Sequence, residues 1–251
     1  MKLISLKNPF GAPVYHEETI SSTMDTARAL GAEPHGTVIT ADFQEAGRGR
    51  QSRSWIMDRG KNLIFTILLR YGELSSIPEA LTLRAGLAVS LAVEDLVPAL
   101  EGQVKVKWPN DVMIGSRKIA GILTESDGKT VCIGIGVNVT QKEFPEEFEA
   151  KAGSIIQFFP LLSADPRFIL LEKFLSRFYD EITSKGGLWR ERILKRLYKL
   201  GKTVVFAEGA ASSNTLVEGI LSGIGPLGEL LIIPKGEDKE KAFVTGELRV
   251  Y

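Results

Sequence analysis

Two apolar, β-branched runs, residues 36–43 and 62–70, bracket a stretch with neither a helical nor a strand-like apolar period. Such runs form strands, and two of them flanking one polar segment form a ribbon with that segment at its tip. The chain is thereby committed to a sheet and to a loop of particular composition at its end. Residues 45–55 hold Arg48, Arg50 and Arg53, opened by Gly47 and Gly49 and closed by Trp55. Glycine permits positive φ and close approach of backbone to a ligand. Guanidinium groups grip phosphate or carboxylate oxygens in pairs, and an indole offers a flat face. A solvated hairpin tip would have the same composition, so the loop alone leaves both readings open.

Composition narrows the choice. A chain of 251 residues is long enough for one large domain, or a main domain with a small one, around a substantial core. Hydrophobic residues make up 44% and charged residues 25%, an ordinary balance for a soluble globular protein. Lysine plus arginine number 31, as do aspartate plus glutamate, so no net field draws the protein to nucleic acid or an anionic membrane. The cationic loop is therefore local. The first ten residues lack the apolar segment of a signal peptide, and no uncharged apolar run approaches the roughly 18 residues of a membrane span. Both observations predict a cytoplasmic protein without a membrane partner. Cys132, the one cysteine, lies in an apolar strand-like run and is expected to be a buried, inert thiol. His16 and His35 are expected in surface turns rather than around a metal.

In chain order, a loop and a short strand at residues 14–16 precede Ser22 and Thr23, whose hydroxyls suit the N-cap of a short helix. They either only cap, or also present donors to a ligand at the helix N-terminus. The ribbon and its loop follow, with Gln44 at the end of the first strand. Residues 78–96 read as a helix with Pro78 in its first turn and Pro98 as its stop. Residues 104–108, 112–114 and 117–123 alternate as strands, interrupted by Pro109, Asn110 and Asp111. Proline cannot donate to a central ladder, so the break shapes a site or lies at an edge. Asn110 and Asp111 supply an amide and a carboxylate there for a base, a ribose or a magnesium ion. Lys118 shares this stretch with Lys107 and Asp111, although a lone strand lysine is usually a surface residue. Residues 131–139 form a further strand whose Gly134 and Gly136 make room for a ligand or for close packing.

Residues 144–162 are irregular, and 167–185 and 188–200 read as helices. From residue 201 the texture changes to short strands, 203–206, 215–221, 228–233 and 242–250, separated by glycine-rich turns. They predict a small β-barrel. The expected organisation is α+β: a mixed or antiparallel sheet packed with helices over residues 1–198, then a small barrel domain over 199–251. No Walker-A loop, nucleophile elbow or Ser-His-Asp set is present. What remains suits an anionic nucleotide bound outside the usual phosphate-loop architecture.

These residues also carry a resemblance. Gly47 to Arg50, then Arg53 and Trp55, with Lys107 to Asp111, Lys118 to Leu123, Gly134 to Asn138 and Thr245 to Leu248, resemble the motifs of the biotin–protein ligases in the family's order. The likeness runs from about Ser22 to the C-terminus. It implies a class II synthetase-like catalytic core followed by an SH3-like barrel. The implied reaction uses ATP with magnesium: biotin becomes biotinyl-5′-AMP, and a lysine of a biotin carboxyl carrier domain then takes the acyl group. By the same resemblance Ser22, Thr23, Met24 and Gln44 are similar to the residues that hold the biotin head group. Arg48, Gly49 and Arg50 belong to the loop that closes over the acyl-phosphate, and Lys118 pairs with its oxygens. Arg48, Arg50 and Lys118 are the implied catalytic residues. Arg53, Trp55, Asn110, Asp111 and Asn138 are implied for ATP or adenylate, with Asp111 the candidate magnesium ligand.

The chain departs from the family pattern at Met24, where asparagine is usual, and at Ser52, where glycine is usual. The first replaces a polar contact and the second stiffens the loop. The long family form carries an N-terminal DNA-binding domain that has no counterpart here, so DNA is not an expected partner. A homodimer through strand edges is left open. Two rival readings remain. A lipoate–protein ligase has similar chemistry, but its Arg-Arg and Gly-Gly-Gly patterns are missing. A non-catalytic nucleic-acid-binding protein is disfavoured by the neutral net charge.

Overall fold

The computed structural model describes residues 1–183, 188–209 and 215–249, with the backbone alone at Ser52. The expected ends at Lys185 and Val250 lie outside the described residues. In chain order the elements are β1 (Lys2–Leu3), β2 (Val14–Glu17), α1 (Thr23–Ala29), β3 (Thr37–Ala41), β4 (Asn62–Arg70), α2 (Leu81–Leu96), β5 (Val104–Lys107), β6 (Asp111–Ile114), β7 (Arg117–Ser126) and β8 (Thr130–Asn138). There follow α3 (Glu146–Glu149), α4 (Ile155–Phe158), α5 (Pro166–Thr183), α6 (Trp189–Arg196), β9 (Thr203–Glu208), β10 (Leu216–Ile224), β11 (Leu230–Pro234), β12 (Lys241–Phe243) and β13 (Gly246–Arg249).

Strands β1 to β8 form one mixed sheet in the order β1-β2-β3-β4-β8-β7-β6-β5, antiparallel except where β2 meets β3. The expected ribbon is β3 with β4, in a register that sets Ala41 opposite Ile64. Because side chains alternate across a strand, the two faces differ in kind. On one face Leu63, Phe65, Ile67 and Leu69 of β4 and Val131, Ile133, Ile135 and Val137 of β8 pack against α2 and α5. Phe174 and Phe178 of α5 stack there with ring centroids 5.3 Å apart, and burying each ring contributes about 1.5–3 kcal/mol. On the other face, Thr66 and Leu68 of β4 alternate with those residues, as do Cys132, Gly134, Gly136 and Asn138 of β8. Helix α1 covers part of this face, through Met24 and Ala27.

Strands β9 to β13 form a separate antiparallel sheet in the order β12-β11-β10-β9-β13, around Phe206, Leu221, Leu230, Ile232 and Phe243. The expected strand over 242–250 is divided. Gly246, at φ 145°, redirects the chain so that β12 and β13 lie at opposite edges of the sheet. A Cβ at Gly246 would fall 2.2 Å from the Phe206 ring. The helix expected from residue 78 begins instead at Leu81. Ala80 holds a left-handed conformation, and the Gly228 turn of the small sheet presses on it. The helix expected over 188–200 ends at Arg196, because the next residues pair with β5 through the Tyr198 amide and the Val106 carbonyl, 2.9 Å. The 144–162 segment contains two single helical turns, α3 and α4. His16 is half-buried on β2 rather than in a turn, with Nε2 3.3 Å from Asp42.

Candidate active site

A cavity of about 990 Å³ opens over the second face of the main sheet. Its floor is the small half of the alternation, Gly121 on β7 with Gly134 and Gly136 on β8. Its walls are the start of α1, the 47–55 segment, the β5–β6 turn, residues 144–152 and strand β13. The cavity gathers every residue singled out from the sequence: Ser22, Thr23, Met24, Gln44, Arg48, Gly49, Arg50, Arg53, Trp55, Asn110, Asp111, Lys118 and Asn138.

At one end is a neutral hydrogen-bonding group. Gln44 Oε1 accepts from the Thr23 amide at 2.8 Å and from its hydroxyl at 2.9 Å, and the Thr66 hydroxyl donates to Thr23 Oγ1 at 2.9 Å. With Oε1 so engaged, the Gln44 side chain is fixed in orientation. Ser22 caps α1, its Oγ accepting from the Asp25 amide at 3.3 Å, while Thr23 faces the sheet. Met24 supplies an apolar wall. It is buried with Ile39, Leu68 and Cys132, and a Cβ on Gly134 would approach its Cε to 2.8 Å.

The arginine segment is a hydrogen-bonded hairpin rather than a structureless loop. Arg48 pairs with Ser54, the Gly49 amide donates to the Arg53 carbonyl at 2.7 Å, and the Trp55 amide to the Gly47 carbonyl at 3.0 Å. Gln51 turns its tip with φ 56°. Three side chains tie it to different parts of the fold. Arg48 meets Asp25 at 2.5 Å, Arg50 meets Asn110 Oδ1 at 3.5 Å, and Arg53 meets Glu247 of β13 at 2.9 Å. Trp55 lies on the glycine floor, where a Cβ on Gly136 would fall 2.5 Å from the indole. The Lys118 ammonium stands 5.7 Å from the ring centroid, within cation–π range. The sequence carries no local signal for Asp25 or Glu247 as partners of this segment.

The other end is cationic. The β5–β6 turn, which contains a cis Trp108–Pro109 bond, sets Lys107 opposite Asp111. Lys118 Nζ is 2.6 Å from Asp111 Oδ1, and Lys107 Nζ is 3.5 Å from Oδ2. Burial pushes the Asp111 carboxyl up, but the two ammonium groups outweigh it and hold the carboxyl below the usual carboxylate range. Asn110 clamps β6 to β7, its Nδ2 donating to the Ile122 carbonyl at 2.8 Å while its own carbonyl accepts from the Ile122 amide at 2.9 Å. The magnesium role expected of Asp111 does not fit this donor set. Both carboxylate oxygens face ammonium groups, which a dication would have to displace. Asp111 is instead paired with Lys118. Trp108 points away from the cavity into the core under the small sheet, its Nε1 donating to the Gly228 carbonyl at 2.9 Å.

Asn138, at the end of β8, is 4% exposed. Its Nδ2 donates to the Gly153 carbonyl at 3.0 Å, and its Oδ1 has no hydrogen-bond partner among the described residues. A buried acceptor left in this way costs about 1–3 kcal/mol until a donor meets it.

Comparison with known proteins agrees with this geometry. The Biotin/lipoate A/B protein ligase family matches residues 17–139, which carry strands β3 to β8 of the main sheet and most of the cavity. A biotin–[acetyl-CoA-carboxylase] ligase of Paracoccus denitrificans is 32% identical over 194 residues, covering 72% of this chain and 79% of that protein. The chain belongs to the biotin/lipoate protein ligase family. Within it the similarity is to biotin ligases. The structure of a biotin protein ligase from Aquifex aeolicus in complex with biotin and ATP superposes with a TM-score of 0.80 at 28% identity, over 94% of this chain and 97% of that one. The bifunctional ligase/repressor BirA of Bacillus subtilis is 40% identical over 154 residues, 57% of this chain. That match spans 46% of the Bacillus protein, so the chain covers about half the length of such relatives.

Proposed function

We propose that this chain is an ATP-dependent biotin–protein ligase, which forms biotinyl-5′-AMP and passes biotin to a lysine of a biotin carboxyl carrier domain. The observation that carries the reading is the polarity of one cavity. Thr23, Gln44 and Thr66 offer neutral hydrogen bonds at one end, Lys118 and Lys107 flank Asp111 with Arg50 beside Asn110 at the other, and the 47–55 hairpin lies between. A cyclic urea suits the first end and an acyl-phosphate the second. The carboxylate of biotin attacks the α-phosphorus of ATP and pyrophosphate leaves. The carrier lysine then attacks the acyl carbon and AMP leaves. Lys118 and Arg50 neutralise charge at the α-phosphate oxygens, and the hairpin excludes water from a mixed anhydride that hydrolyses readily. Magnesium accompanies ATP as part of that substrate.

Transfer of labelled biotin to a carrier domain in the presence of ATP tests the reading directly. Lipoate is the informative comparator. If lipoate, and not biotin, raises the melting temperature in the presence of a non-hydrolysable ATP analogue, the assignment to biotin is wrong.

Asn138 gives a prediction about the base. Asn138 lines the cavity, and with Nδ2 donating to Gly153 its Oδ1 is a buried acceptor without a partner among the described residues. The exocyclic amine of adenine satisfies it, whereas the carbonyl of hypoxanthine repels it. ATP should be preferred over ITP by about 10- to 100-fold, and Asn138→Ala should reduce that preference towards unity. Equal selectivity in the two proteins, measured as the ratio of kcat/KM values, would show that Asn138 does not read the base.

A further inference from the structure

Charge is unevenly matched around the cavity. The chain as a whole carries no net charge, yet cations outnumber carboxylates among the side chains that line this space. Arg48 is compensated by Asp25, and Arg53 by Glu247. Lys107 and Lys118, by contrast, share the single carboxylate of Asp111, and Lys118 holds it at the shorter distance. Lys107 is the more buried of the two, its side chain 7% exposed against 35% for Lys118. A buried ammonium is expensive unless a counter-charge is present. Asp111 lies 3.5 Å from the Lys107 ammonium, and Glu247, which also acts on it electrostatically, is already paired with Arg53, so the charge of Lys107 is only partly matched. Arg50 adds a second excess charge nearby, since its partner Asn110 is neutral.

The two lysines also occupy different stations. Lys118 is on β7, beside Gly121 and Trp55 at the centre of the floor, whereas Lys107 is on β5, two strands further out. Their backbones stand two strand spacings apart, about 10 Å, and their ammonium groups converge on the two oxygens of Asp111. Both lysines line the same cavity, so a triphosphate whose α-phosphate lies at Lys118 has the Lys107 ammonium within reach of its outer phosphates.

Resting on the proposed function, we infer that Lys107 is a further catalytic residue, which binds the leaving pyrophosphate during adenylate formation and takes no part in transfer to the carrier lysine. When the biotin carboxylate bonds to the α-phosphorus, the bond from that phosphorus to the bridging oxygen breaks and its electron pair passes to pyrophosphate. The Lys107 ammonium, already charged, neutralises that oxygen without moving a proton.

The test separates the two half-reactions in the full chain. Lys107→Met should slow adenylate formation by about 100-fold or more and raise the KM for pyrophosphate in the exchange reaction. Transfer from added biotinyl-5′-AMP to a carrier domain should stay within about two-fold of wild type. Lys107→Arg, which keeps the charge, should recover part of the lost rate, and serves alone if the methionine variant does not fold: a raised KM for pyrophosphate with normal transfer is then the supporting result. Equal loss in both half-reactions with an unchanged KM for pyrophosphate overturns the inference, because Lys107 would then only position Asp111. Unchanged adenylate formation overturns it as well. If the wild-type chain makes no adenylate, the proposed function fails, and calorimetry with inorganic pyrophosphate decides the lysine's role. Binding weakened about tenfold or more by the substitution supports the anion site, and equal binding or none removes it.

Discussion

Replacing Lys118 by alanine is expected to slow adenylate formation by about 100- to 1,000-fold while leaving the protein folded at neutral pH. The side chain is 35% exposed, so its removal opens no core cavity. Its chemistry is concentrated in one ammonium group, 2.6 Å from Asp111 and 5.7 Å from the Trp55 ring centroid, where it meets charge that develops on the α-phosphate. Arg50→Ala should act in the same direction. Biotin-dependent pyrophosphate exchange is the measurement, and an unchanged rate in both variants would remove these roles. The substitution also has a consequence in acid. Asp111, raised by burial, is lowered further by Lys118 and Lys107, so its carboxyl sits below its unfolded value. A carboxyl depressed on folding stabilises the protein fully above the unfolded pKa, and that contribution is lost as pH falls through the folded value. In the wild type the loss falls below about pH 4. Without Lys118 the depression shrinks, so the acid-unfolding midpoint should move upward, as tryptophan fluorescence or circular dichroism would report.

The sheet and the floor of the site were legible in the sequence because both follow from local alternation. The β-branched runs on either side of the arginine segment pair as β3 and β4, and the small residues Gly134 and Gly136 fall on one face because side chains in a strand alternate with period two. The cationic stretch from Lys107 to Lys118 was legible too, since hairpin geometry brings its charges together within a dozen residues. What escaped is long-range. Arg53 and Glu247 are 194 residues apart, and no pattern in either segment names the other. The start of α2 at Leu81 depends on a turn of the small sheet pressing on Ala80, and the split between β12 and β13 depends on the Phe206 ring beside Gly246. In each case a tertiary contact overrides a local preference. Trp108 is the instructive residue: it reads as part of a site motif, yet its side chain serves the attachment of the second sheet to the first.

That attachment gives the largest expected effect on stability. Trp108 is 3% exposed and packs with Leu83 and Leu87 of α2, Val106 of β5 and the inner residues of the small sheet, its ring 5.8 Å from that of Phe206. Trp108→Ala should cost about 3–5 kcal/mol, the transfer of a large buried ring plus the cavity it leaves. Trp108→Phe keeps much of the packing and loses the hydrogen bond to the Gly228 carbonyl, so it should cost about 1–3 kcal/mol. The loss should not be uniform. Hydrogen exchange in β9 to β13 should accelerate more than in β4 and β8, because the central strands keep their α2 and α5 packing. Function should follow through Glu247. An exposed ion pair contributes at most about 1 kcal/mol, so the Arg53–Glu247 contact matters less for stability than for where it holds the hairpin. With the small sheet loosened, the hairpin keeps Asp25 at one end and loses its fixed partner at the other, which should raise the KM for ATP more than that for biotin. Protection of β9 to β13 that matches the rest of the protein, with both KM values unchanged, would mean that the two sheets are joined by other contacts and that Trp108 is an ordinary core residue.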